Sequence, residues 1–201
     1  MSTLTTFFIT LASAVVGGII AGYYSFKATK EAHQNQKKVA DENEKLIIKS
    51  LLQAIHDELE TVFDRYQETM GSKIESLEKN TPLMMYYPLV SDFFTVYNGN
   101  SFLIGRIKDN DLRKSIIKTY TLAKGMVDSF RMNNDILQKY EHWSFVYAET
   151  KEDIHRDRIN AYYLSLVNYA DTLRSIHNDL KVNLKMTTRT LIKNGVLSEA
   201  I

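Results

Sequence analysis

Residues 7–26 read FFITLASAVVGGIIAGYYSF. Ser2 to Phe26 carries no charged side chain, whereas all 25 Lys and Arg and all 24 Asp and Glu lie beyond Phe26. Twenty helical residues rise about 30 Å, the thickness of a bilayer's hydrocarbon core. Tyr23 and Tyr24 stand at the charged end, where amphipathic rings favour the membrane interface. Residues 1–26 are therefore expected to form a transmembrane anchor with the lipid bilayer as partner. A cleaved signal peptide is the rival reading, helped by Ala12-Ser13-Ala14. No Lys or Arg precedes the apolar run, and the run is long for such a segment. The head is read as retained.

Its flanks set an expected orientation. Between residues 27 and 38, Lys27, Lys30, Lys37 and Lys38 are opposed only by Glu31. The positive-inside rule then puts the C-terminal body in the cytoplasm and the N-terminus outside, as a single-pass protein of a bacterial inner membrane.

The anchor carries a pattern of small residues. Thr6, Thr10, Ala14, Gly18 and Gly22 recur every four residues, and Ser13, Gly17, Ala21 and Ser25 form a second row. At 100° per residue both rows occupy roughly one half of a helix. Val15, Val16, Ile19, Ile20, Tyr23 and Phe26 fall largely on the other half, and Phe7, Leu11 and Tyr24 interrupt the division. Gly18-x-x-x-Gly22 permits close backbone approach, and hydroxyl side chains can hydrogen-bond between helices. Thr10, Ala14, Gly17, Gly18, Ala21 and Gly22 are the candidate packing face for a homo-oligomer. A face this broad can meet neighbours on two sides, as in a ring.

The rest of the chain reads as all-α. Residues 27–45, KATKEAHQNQKKVADENEK, hold good helix formers and no proline, which suits a juxtamembrane helical stalk. Residues 46–201 read as a cytoplasmic helical bundle. Ile48, Leu52, Ile55, Leu59, Val62 and Tyr66 begin a stripe at helical spacing, continued by Met70, Ile74 and Leu77. One helix is expected from Val39 to Lys79, loosened at Gly71 and stopped by Asn80-Thr81-Pro82. Residues 82–105 form an irregular crossover. Asn98-Gly99 permits a β-hairpin there, but a two-stranded sheet is marginal alone. A helix-to-helix crossover with a turn at Asn98-Gly99, pinned by its aromatic residues, is preferred, with a short helical turn after Pro88 as an alternative. Leu112, Ile116, Tyr120, Ala123, Val127 and Phe130 mark the next helix, capped by Asp109 or Asp111. Asn133-Asn134 is read as a break before a shorter helix to about Ala148. The last helix runs from Asp153 to near Lys193, with Asn194-Gly195 as its close. Four such helices suggest an antiparallel bundle.

Composition narrows the chemistry. A net charge of +1 argues against a generic polyanion binder, so a nucleic-acid partner is not expected. The absence of cysteine excludes disulfides and thiol catalysis. No nucleotide-binding loop, metalloprotease helix, nucleophile elbow or calcium loop occurs. His56 and Glu60 share a helix face, but two ligands are too few for zinc, and neighbouring Asp57 and Glu58 point to solvent exposure. His33 reads as solvated, and His142, His155 and His177 read as structural or surface residues. The many tyrosines, interleaved with Lys and Arg, are better placed for packing than for stacking on nucleic acid. No cofactor, metal or catalytic residue is assigned.

The segment YNGNSFLIGRIKDNDLRKSIIKTYTLAKGMVDSF, Tyr97 to Phe130, follows an apolar span and a charged stalk. In this arrangement the chain resembles small single-span bacterial proteins with helical cytoplasmic domains. More distantly, it resembles the membrane accessory proteins that accompany type VI-B CRISPR effectors. The resemblance implies a HEPN-like bundle, a ring-shaped oligomer and membrane disturbance during phage defence. HEPN ribonucleases place histidine four to six residues after arginine. No histidine here has that neighbour: Arg174 to His177 is too short and Arg131 to His142 too long. The expected function is a non-enzymatic, self-assembling membrane effector or accessory protein with a cytoplasmic protein partner. A membrane-tethered scaffold and a divergent ribonuclease are the alternatives.

Overall fold

The structure, a computed structural model, describes residues 3–88, 93–194 and 196. The described residues contain helices and no strand. The chain divides into two compact units, Met1–Ile47 and Ile48–Ile201.

The first unit is helical throughout its described residues and belongs to α1, which spans Thr3–Tyr66. α1 is the described helix long and apolar enough to cross a membrane, and its apolar window is not buried within the chain. Val16, Ile19, Ile20, Tyr23, Tyr24 and Phe26 are all exposed. No proline or break separates the apolar run from the polar residues 27–45.

The second unit is built on three long helical stretches. They are α1 from Ile48 onward, α5 (Asn110–Thr150) and α6 (Asp153–Lys193). α5 and α6 share the most extensive packing among the described helices. Lys151 turns the chain between them in the left-handed region, at φ 58°. Leu52, Ile55 and Leu59 of α1 are buried, as are Leu112, Ile116 and Tyr120 of α5. Leu166, Ala170, Leu173 and Leu180 supply the α6 stripe. Each such large apolar side chain removed from water contributes about 2 kcal/mol before chain entropy is set against it.

Several expectations are corrected. α5 does not break at Asn133-Asn134, so there are three long helical stretches rather than four helices. Both asparagines spend their amides on the crossover instead. Asn133 Nδ2 donates to Leu83 O at 3.2 Å. Asn134 accepts from Tyr87 N at 3.1 Å and donates to Tyr87 O at 2.8 Å. Nor is the packing wholly antiparallel. Glu58 meets Tyr120, and eight residues later Tyr66 meets Phe130, so α1 and α5 run the same way. Tyr66 also meets His177, while Ser115 meets Thr187, so α6 opposes both.

The third correction concerns where the first helix stops. α1 passes through a π-helical turn, Gln67–Gly71, into α2, Ser72–Ser76. Leu77 is already extended, four residues before Thr81, and Asn80 takes φ 60°. A Cβ on Gly71 would collide with the Gln67 amide, so the glycine makes room for that side chain. Gly71 thus does more than loosen a helix: it sits where the winding changes. The crossover carries two short helices, α3 (Thr95–Gly99) and α4 (Ser101–Ile104), with Asn98-Gly99 inside α3. Asp109 caps α5, accepting from Asp111 N and Leu112 N at 3.0 Å each. α6 ends at Lys193, and Asn194 is not left-handed (φ −80°). Gly195 lies outside the described residues.

Candidate functional site

The predicted packing face lies on α1. Ala14, Gly17, Gly18, Ala21 and Gly22 are all exposed. A Cβ built on Gly17, Gly18 or Gly22 would meet nothing within 4 Å. Thr10 belongs to the same helix, but its side chain lies outside what is described. Gly17, Gly18 and Gly22 therefore offer backbone surface beside which no other described atom lies.

A polar relay in the second unit was not anticipated. His177, only 1% exposed, receives Tyr66 Oη on Nδ1 at 2.7 Å and faces Glu75 Oε1 with Nε2 at 3.0 Å. Lys181 Nζ donates to the same carboxylate oxygen at 2.5 Å, and Gln67 Nε2 donates to Oε2 at 3.0 Å. The Lys181 and His177 hydrogen bonds pull the Glu75 carboxyl down from 4.5 to about 2. Glu75 is therefore an acceptor at neutral pH, so in neutral His177 the proton sits on Nε2 and Tyr66 donates to Nδ1. Burial, aided by Tyr87 and Glu75, pushes the Tyr66 hydroxyl well above its ordinary value. That phenol stays protonated and serves as a donor, not as a nucleophile. The π turn and α2 bring Gln67 and Glu75 to α6. No local sequence signal could reveal this, since Tyr66 and His177 are 111 residues apart.

Glu58 forms a second polar anchor. Its carboxylate accepts from Val96 N at 2.7 Å, Tyr97 N at 3.1 Å and Tyr120 Oη at 2.7 Å. One acidic side chain of α1 thus fixes both α3 and α5. Burial first, then the Glu58 hydrogen bond, raises the Tyr120 hydroxyl far above its ordinary value.

The other histidines divide. His56 is 2% exposed, which corrects the expectation of solvent exposure. The α1 stripe simply widens there to include it. Nδ1 faces Asp57 Oδ1 at 3.2 Å, and Glu60 Oε2 lies 4.0 Å away. Among the described residues no group of three potential metal ligands assembles. His33 and His142 are exposed. His155 stacks on Trp143 at 5.4 Å and bonds Thr150 Oγ1 through Nδ1 at 2.8 Å. Arg158 also lies over Trp143, at 4.1 Å from the ring centre. These groups close the α5–α6 turn.

Between α1, α5 and α6 lies a half-open cavity of about 200 Å³. Leu59, Val62, Met126, Val127, Phe130 and Leu184 supply much of its apolar wall. Thr61 and Arg65, one helical turn apart and both exposed, stand among the polar lining residues. Sequence periodicity marked the apolar walls as core and could not show that they stop short of one another.

Among the described residues these features define an all-helical protein with one helix able, by length and composition, to cross a membrane. No family model, curated protein or solved structure matches the chain. The likeness to type VI-B accessory proteins gains no support from those comparisons.

Proposed function

We propose that the chain is a membrane-anchored, self-assembling helical effector or accessory protein. It is held in a bacterial inner membrane by residues 7–26 with its body in the cytoplasm. In this reading the small-residue face packs subunits together, and the helical body docks a cytoplasmic protein. A change in subunit packing then perturbs or permeabilises the bilayer, as in a phage-defence response. No catalysis is invoked. The observation that carries the proposal is the exposed, uncharged segment whose Gly17, Gly18 and Gly22 have open space beside them.

Replacing both Gly18 and Gly22 with Leu blocks close approach and is expected to weaken association about tenfold or more. Mass measurement of full-length protein in detergent checks this. Unchanged oligomer size with retained activity would remove the small-residue face from the proposal.

A second reading is a tethered scaffold that recruits a partner without opening the membrane. It is favoured by exposed apolar side chains near the α5–α6 turn, where Phe145 is 65% and Ile154 59% exposed. Dye release from liposomes, with the activating partner present, separates the two: the scaffold leaves the dye inside.

A further inference from the structure

We propose that the cavity between α1, α5 and α6 binds a single-chain fatty acid. The tail lies among Val62, Met126, Val127 and Leu184, and the carboxylate is held at Arg65. Protein interiors normally close such space, because an unfilled wall forfeits its dispersion contacts. An engineered apolar cavity of about 150 Å³ is known to stay dry and to bind benzene. By proportion, the larger volume here takes roughly eight carbons. Two acyl chains do not fit, which excludes an intact phospholipid. A helix about 10 Å across does not fit either, which excludes insertion of a second copy.

The wall is almost wholly apolar, and the head group follows from the exposed residues that line it, Arg65 and Thr61. Tyr66 spends its hydroxyl on His177. Arg65 lines the cavity, is exposed, and makes no side-chain hydrogen bond or ion pair among the described residues. Neither Asp64 nor Glu68 pairs with it within 4 Å, so its charge is available to an anion. Thr61, one turn earlier on α1, also lines the cavity. An apolar tail with one carboxylate complements this arrangement.

The test uses full-length protein in phosphatidylcholine nanodiscs and an octanoic acid carrying a terminal diazirine. Photolabelling followed by peptide mass spectrometry should mark Met126 or Val127 saturably. Unlabelled acids should compete about fourfold better per added methylene, flattening beyond roughly eight carbons. Partition into lipid would give neither saturation nor a plateau. Arg65→Gln, a surface change, should weaken octanoate competition about fivefold at low salt, while octanol competes equally with both proteins. Val127→Phe should fill the space and abolish labelling, with helix content unchanged by circular dichroism. Labelling confined to residues 7–26, or without saturation, would overturn the site. Equal octanoate competition in Arg65→Gln would overturn the role of the guanidinium. The test takes the membrane anchor from the proposed function but does not depend on self-assembly, so failure of the cavity site would leave the proposed function standing.

Discussion

Glu75 ties the π turn and α2 to α6 through Lys181 and His177, and its carboxyl titrates near 2 rather than 4.5. The folded value lies below the unfolded one, so the ionised form is the one the fold favours. Its contribution is complete above about pH 4.5 and fades as pH falls towards 2. Because the side chain keeps 37% of its exposure, solvent screening limits that contribution to about 1 kcal/mol. Urea unfolding of wild type and Glu75→Gln should show that gap at pH 7 and its loss towards pH 2. A gap independent of pH would contradict the assignment. Residues of this kind were the least legible in the sequence. Asn133 and Asn134 look like helix breakers because their amides compete with the backbone. Here those amides are engaged by Leu83 and Tyr87, some fifty positions away, and the helix runs on. Glu58 likewise reads as an ordinary solvated acid, since its partners lie in the crossover and on α5.

Elements were far more readable, because apolar spacing of three and four reports helices directly. The stripes expected of α1 and α5 hold most of their buried residues, with Ile48, Val62, Ala123 and Val127 half-buried, and of the two cap candidates Asp109 is the one that caps α5. Chain direction was not readable. A crossover of thirty-odd residues can return the next helix either way, and this one returns α5 parallel to α1. Glu58 links those two helices with α3, so its removal is an element-level perturbation. Glu58→Ala leaves Val96 N, Tyr97 N and the Tyr120 hydroxyl without their acceptor. The expected cost is about 2–4 kcal/mol. Hydrogen exchange should accelerate at Val96 and Tyr97 well before α6 is affected. Retained protection at both amides would show that α3 is held by packing alone.

At the scale of the molecule, the uncharged head was legible from composition alone, whereas the relay and the cavity arise only when distant helices meet. The proposed topology is testable because the chain has no cysteine to remove. Single cysteines at Ser2 and at the exposed Glu149 should report opposite sides. In intact cells an impermeant maleimide should label Ser2→Cys and spare Glu149→Cys until lysis. The reverse pattern would invert the orientation.

The placement of Leu191 has a consequence for biosynthesis. This fully buried residue belongs to the same apolar cluster as Leu59 of the first helix, far earlier in the polypeptide. At cellular elongation rates the ribosome needs on the order of ten seconds to travel from one to the other. During that interval the greasy stripe of the nascent first helix can meet Leu112, Ile116 and Tyr120 of α5 but lacks its last partner from α6. Premature termination before the last helical turns would leave it incompletely covered, a ready substrate for chaperones and quality-control proteases.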